Sequence, residues 1–257
     1  MTDLVTGLGP VRRHVERVDH VERVDRLDRA GAGAAAPRSA RRVTSEEVRD
    51  AVLSGSWVID LRGRAAFAEG HLPGSVNVEY SAQFATYVGW LVPWDDDLVL
   101  LTDTAEVLEP ALRDLARIGI DRVGAHVDTP DSPQDGAHDG APEPLTASYR
   151  RADWAAYREA RTFAAATGTR GPVVVDVRQR DEWLDGHLPG ALHLPVHEVE
   201  TAGRRMPPGE LWVHCRSGYR AGIAASLLHR AGRDVVHVDD TWERVGELHI
   251  ETTAAAA

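Results

Sequence analysis

Residues Leu211-Trp212-Val213-His214-Cys215-Arg216-Ser217-Gly218-Tyr219-Arg220-Ala221 read as an apolar strand, an arginine-bearing loop and the start of a helix. Cys215 is the only cysteine of the chain and stands where strand gives way to loop. A thiol there faces a curl of backbone N–H groups, a helix N-terminus and two guanidiniums, all of which favour thiolate over thiol. The same curl suits an anionic terminal sulfur, as turns of successive N–H groups suit other anions. These residues predict a nucleophile rather than a core cysteine. With no second cysteine there is neither an intramolecular disulfide nor a C-x-x-C pair, so sulfur taken up by Cys215 must leave to an external acceptor.

Composition narrows the chemistry further. All 29 basic residues are arginine, which excludes a phosphate-loop lysine and Schiff-base catalysis. The net charge of −11 argues against nucleic acid as the partner, because phosphate binding needs a basic face. Neither H-x-H-x-D-H nor H-E-x-x-H occurs among the twelve histidines, so no metal or other cofactor is expected and the scattered histidines are read as surface residues. No apolar run approaches the roughly eighteen residues of a membrane span. A soluble cytoplasmic protein is the expectation, with no membrane partner.

The elements that must position Cys215 come in two copies. Trp57–Arg62 matches Val173–Arg178 in kind, and Glu69-Gly70-His71-Leu72-Pro73-Gly74 matches Asp185-Gly186-His187-Leu188-Pro189-Gly190. Leu98–Asp121 then aligns without a gap to Leu211–Asp234. Short apolar strands alternating with amphipathic helices predict an α/β fold with two mainly parallel sheets flanked by helices. Ligands of such sheets bind beyond the strand carboxyl ends, where Cys215 is placed. Residues 1–42 predict a flexible arm: they hold nine Arg against six acidic residues, and His14–Asp19 repeats at once as His20–Asp25. A docking helix is the alternative for this arm. Residues 43–128 and 146–251 predict the two domains, and the Pro/Gly/Asp-rich stretch 129–145 a linker.

With these residues in view the chain resembles the tandem rhodaneses, two-domain sulfurtransferases. Asp60/Arg62 and Asp176/Arg178 carry the D-x-R strand end, Gly70–Gly74 and Gly186–Gly190 the G-H-x-P-G turn, and Cys215–Arg220 the C-R-x-G-x-R loop. Phe84–Trp94, read as a helix and turn packing between domains, is also similar to the rhodanese pair of metallo-β-lactamase/rhodanese fusions. The metal motif of the lactamase fold is absent, so a separately made, persulfide dioxygenase-like partner or a sulfur-accepting protein is an expected partner besides the small donor and acceptor. The resemblance implies that the Cys215 thiolate takes the outer sulfur of thiosulfate or a related donor as a persulfide and hands it to cyanide or a thiol.

On the same resemblance Arg216 and Arg220 bind the donor anion and lower the thiol pKa, their two guanidiniums suiting a dianion. Gly218 lets the loop turn, Ser217 donates a hydrogen bond, and Tyr219 shapes the pocket mouth. Arg178 is a candidate for donor binding, although a buried Asp176/Arg178 pair with His187 bonded to a turn is the scaffold alternative. Trp183, Trp212 and Trp242 are expected in the core.

Two departures qualify the match. Thr102 and Asp103 stand where the second copy has Cys215 and Arg216, so the first domain is expected to be inactive. Val238-Asp239-Asp240-Thr241-Trp242 occupies a place where many rhodaneses have Gly-Gly, which is expected to affect domain packing. Two other readings stay open: a non-catalytic docking module, and a phosphatase on the same fold. The phosphatase loop is C-x5-R, one residue longer, to admit a phosphate.

Overall fold

Buried, β-branched strands are what the two apolar runs before the D-x-R motifs demand, and both form. The structure, a computed structural model, describes residues 40–127 and 146–253. The first sheet contains β1 (Arg41–Arg42), β2 (Trp57–Asp60), β3 (Val76–Asn77), β4 (Leu98–Thr102) and β5 (Val123–Val127) in the order β1-β5-β4-β2-β3. The second contains β6 (Arg150–Ala152), β7 (Val173–Asp176), β8 (Leu192–His193), β9 (Leu211–His214) and β10 (Val235–Val238) in the order β6-β10-β9-β7-β8. Every pairing within both sheets is parallel. Parallel strands need crossover helices, and these cover both faces. In the first copy they are α1 (Ser45–Leu53), α2 (Arg64–Glu69), α3 (Phe84–Leu91) and α4 (Leu108–Arg117). In the second they are α5 (Trp154–Thr167), α6 (Arg180–Asp185), α7 (Val199–Ala202), α8 (Tyr219–Arg230) and α9 (Glu243–Glu247).

Helix starts follow local chemistry. Thr44 and Glu47 make a reciprocal capping box at α1, and Asp153 caps α5 through the Ala156 N–H. The α8 start has no capping side chain. Its N-cap is Gly218 at φ +82, which leaves the N-terminal N–H groups to the cysteine loop.

Both G-H-x-P-G turns are pinned in one way. Arg62 and Arg178 each fork onto the aspartate two residues earlier, and each gives a terminal nitrogen to the turn glycine, Gly70 O at 2.9 Å and Gly186 O at 2.6 Å. His71 stacks on Phe67 and contacts Phe67 O through Nδ1, as His187 does with Trp183. An antiparallel bridge closes each turn, His71 to Ala147 and His187 to Thr253.

One apolar core runs unbroken from Ile59, Phe84 and Leu100 of the first copy to Val213, Ile223 and Leu227 of the second. Helix α8 lies against β3 of the first copy, and Asn77 N–H donates to Ser226 Oγ at 3.0 Å across that contact. Among the described residues no helix is long and apolar enough to cross a membrane.

Some expected boundaries shift. Arg41 and Arg42, assigned to the arm, pair with Gly124 and Ala125 as the edge of the first sheet. Thr253 bonds to His187, two residues past the expected end of the second domain. The rest of the arm with its repeat, and the linker 129–145, lie outside the described residues.

Candidate functional site

Strand β9 is the central strand of its sheet, between β10 and β7, and Cys215 is the first residue beyond its carboxyl end. Register places His214 opposite Asp176, so the cysteine emerges beside the D-x-R corner. The loop then curls back, and the Ala221 N–H points at Cys215 Sγ at 3.4 Å. The thiol is buried at 1% exposure, on the interdomain core.

Backbone bonds fix the curl on its far side. Trp242 N–H donates to Arg216 O at 2.8 Å, and the Gly222 N–H to Gly218 O at 2.8 Å begins the helix. His237, fully buried on β10, places Nε2 2.9 Å from Gly218 O. Burial pushes its pKa down to about 4 although the Gly218 bond and Asp239 act against that, so the ring is neutral and Nε2–H donates. Gly218 cannot carry a side chain: besides its positive φ, a Cβ would come within 2.3 Å of Asp239 Oδ1.

Of the predicted site residues, Arg216 and Ser217 lie exposed on the outer edge of the curl, and Gly218 is buried at its back. Arg220 turns inward. Its guanidinium holds Glu182 with two bonds, of 2.5 and 2.8 Å, at 14% side-chain exposure. Burial works against the Arg220 charge, but Glu182 and the nearby Cys215 sulfur more than offset it and raise its pKa. Burial likewise pushes Glu182 up, and Arg220 with the Gln179 N–H brings it down below the usual carboxylate range. Arg216 pairs with Glu243 at 3.2 Å, with both side chains mostly exposed. Each guanidinium of the loop thus already meets a glutamate, and the spacing of those glutamates gave no signal of it.

Arg178, the candidate for donor binding, is held by partners of its own. It is 3% exposed, forks onto Asp176, reaches Gly186 O and lies 3.9 Å under the Trp242 ring. Arg62 makes the same aspartate and glycine bonds in the copy without a cysteine, so this arrangement holds the turn in both copies. Trp212 is in the core as expected, whereas Trp183 and Trp242 are only half-buried: Trp183 stacks on His187 and His193, and Trp242 on His214. His214, fully buried, stands 3.5 Å from Asp176 Oδ2, and burial takes its pKa down to about 4.

The first copy contributes more than expected. Tyr87 of α3 lies 5.5 Å from the Tyr219 ring, and burial, then Arg220 and the Cys215 sulfur, act on its phenol, whose pKa is raised. Trp90, one turn on, meets Tyr87 and reaches His197 of the second copy. Tyr219 is half-buried, and its hydroxyl donates to Glu79 O at 2.7 Å and accepts from Ser81 Oγ at 2.9 Å. The position matching Cys215 is different in kind. Thr102 Oγ1 donates to Thr104 O and accepts the Thr104 N–H, closing a turn on itself. Among the described residues no cluster of three or more His, Cys, Asp or Glu could hold a metal.

The family model of the rhodanese-like domain matches residues 44–124 and again 159–247. Among curated proteins, "Putative sulfur carrier protein YrkF" of Bacillus subtilis is 33% identical over 67 residues, 25% of this chain and 36% of that protein. "Putative thiosulfate sulfurtransferase, mitochondrial" of Schizosaccharomyces pombe is 30% identical over 91 residues, 30% of this chain and 64% of that one. The chain thus spans less than two thirds of the length of these relatives. Among solved structures, the rhodanese-like domain of the Anabaena Alr3790 protein covers 40% of this chain and 78% of its own, at 20% identity and a TM-score of 0.35. Wild-type EanB covers 85% and 63%, at 15% identity and a TM-score of 0.38.

Proposed function

The chain belongs to the rhodanese-like domain family, and from that membership we propose that it is a sulfurtransferase with Cys215 as its sulfur carrier. The observation that supports this most is the seating of Cys215 Sγ at the head of α8, where the Ala221 N–H points at it at 3.4 Å. The name of the Schizosaccharomyces pombe relative, a thiosulfate sulfurtransferase, favours thiosulfate as donor.

The Cys215 thiolate attacks the outer sulfur of thiosulfate. Its S–S bond breaks, sulfite leaves with the bonding pair, and Cys215 is left as a persulfide. Cyanide, or a cytoplasmic thiol in the cell, then attacks the outer persulfide sulfur and returns the cysteine to thiolate. No proton or redox partner is needed with cyanide, because sulfur moves at the same oxidation level from one nucleophile to another. The two arginines divide the work by the strength of their pairs. The exposed Arg216–Glu243 pair is worth about 0–1 kcal/mol, so an anionic donor can displace Glu243. The half-buried, bidentate Arg220–Glu182 pair stays closed and supplies a fixed field beside the sulfur.

Intact mass measured after incubation with thiosulfate, and again after cyanide, tests the reading. A gain of one sulfur that cyanide removes is expected, and Cys215→Ser, folded as judged by its unfolding midpoint, gains none. A folded wild-type chain that takes up no sulfur, or a serine variant that still transfers it, overturns the reading.

A further inference from the structure

Asp239 stands in the segment where the sequence departs from the usual Gly-Gly, and its carboxylate does three things at once. Oδ1 accepts from Arg64 Nε at 2.7 Å, and Arg64 belongs to α2 of the copy that has no cysteine. Oδ2 accepts from Arg151 Nη1 at 2.7 Å. The same Oδ1 fills the space beside Gly218, where a Cβ would meet it at 2.3 Å. Arg64 also reaches Glu79 at 2.8 Å, whose carbonyl holds the hydroxyl of Tyr219, the residue after Gly218. Its stem lies over α8: a Cβ on Gly222 would come within 3.2 Å of Arg64 Cβ and 3.3 Å of His237 Cε1. Arg64 is 28% exposed and Asp239 15%, so their pair is screened by salt less than an open surface contact is.

Gly218 is thus held from two sides. His237 of its own domain holds the carbonyl, and the Arg64–Asp239 pair closes the face where the glycine has no side chain. The peptides that follow carry the N–H groups of the curl, up to the Ala221 N–H on the sulfur. A site needs its donors held within about 0.5 Å, and the supporting contacts set that precision. We propose that Arg64, from the domain without a nucleophile, is a positioning residue for the Cys215 loop, acting through Asp239 on Gly218 and through Glu79 on Tyr219. The domain without a cysteine is thereby part of the catalytic apparatus. The consequence for activity rests on the sulfurtransferase reading; the positioning itself does not.

Arg64→Met keeps the aliphatic stem over Gly222 and removes both ion pairs. Two readouts are taken on the full chain: amide hydrogen exchange across 216–222, and kcat and KM with thiosulfate and cyanide. Exchange in that segment should quicken at least fivefold relative to β9. The kcat should fall about tenfold while KM for thiosulfate changes less than twofold, since Arg64 makes no bond to Arg216. Arg64→Lys should recover part of kcat through Asp239 alone. Arg64→Met/Asp239→Asn should be no slower than the worse single variant, as for residues that act as one unit. Unchanged exchange and unchanged kcat in a folded Arg64→Met overturn the proposal, and so do fully independent losses in the double variant. Faster exchange in a chain whose wild type moves no sulfur would sink the activity reading and leave the positioning standing.

Discussion

Arg220 gives two guanidinium nitrogens to Glu182, at 2.5 and 2.8 Å, next to the buried sulfur of Cys215. A fork of this kind fixes both the place and the plane of the cation, which a point charge on a flexible stem cannot do. Arg220→Lys should therefore keep the charge and lose the geometry, lowering kcat/KM for thiosulfate about tenfold. Glu182→Gln leaves a half-buried guanidinium without its counter-ion and should cost about 1–3 kcal/mol of stability, discounted for partial exposure. Steady-state kinetics and urea unfolding of the two variants check the pair. A lysine variant with wild-type kcat/KM would mean that only the charge matters.

Gly218→Ala tests the back of the loop. The substitution forces a side chain into the left-handed region, at about 1–2 kcal/mol, and drives a methyl into the Asp239 carboxylate. A total loss of about 2–4 kcal/mol in urea unfolding is expected, together with loss of sulfur loading by intact mass. Stability within 0.5 kcal/mol of wild type, as for an ordinary surface substitution, would show that Asp239 can move aside freely.

The fold was legible because its signals are local and occur twice. The apolar runs Trp57–Asp60 and Val173–Asp176 end in the same D-x-R corner, and each G-H-x-P-G turn follows at the same distance. Cys215 was legible for a similar reason, since strand, loop and helix start are contiguous in the chain. What escaped the sequence is the set of partners that meet only after folding. Glu182 and Arg220 are far apart along the chain, as are Arg64 and Asp239, and nothing in single-sequence spacing couples them. Arg178 was ambiguous because a buried latch and an anion site use the same residue type, and only the fold shows that Arg62 makes the matching bonds.

Thr102→Cys asks whether a thiol alone restores the first domain. Thr102 Oγ1 sits in a turn closed on Thr104, and Asp103 and Val107 stand where the second loop has Arg216 and Arg220. A thiol placed there gains neither a curl of N–H groups nor a positive field. The variant should take up one sulfur from thiosulfate, as wild type does, and alkylation should find the new thiol without a persulfide. A second cyanide-labile sulfur on the intact mass would show that the first loop needed only its cysteine.

Acid stability follows from three buried histidines. His71, His214 and His237 all have pKa values pushed down to about 4, with burial as the first cause in each. In the unfolded chain they return to the ordinary value near 6.5. Below that value the unfolded state binds protons that the folded state refuses, so stability falls as the pH drops from about 6.5 towards 4 and these groups add no further loss below it. Each histidine can cost up to roughly 3 kcal/mol over that window, and three titrating together give a slope of about 4 kcal/mol per pH unit at its centre. Urea unfolding at pH 7.5, 6.5, 5.5 and 4.5 measures this, with the steepest loss expected between the last three points. Stability that stays level from pH 6.5 to 4.5 would mean that these rings accept protons inside the fold. The neutral His237 donating to Gly218 O could then no longer be assumed at the loop.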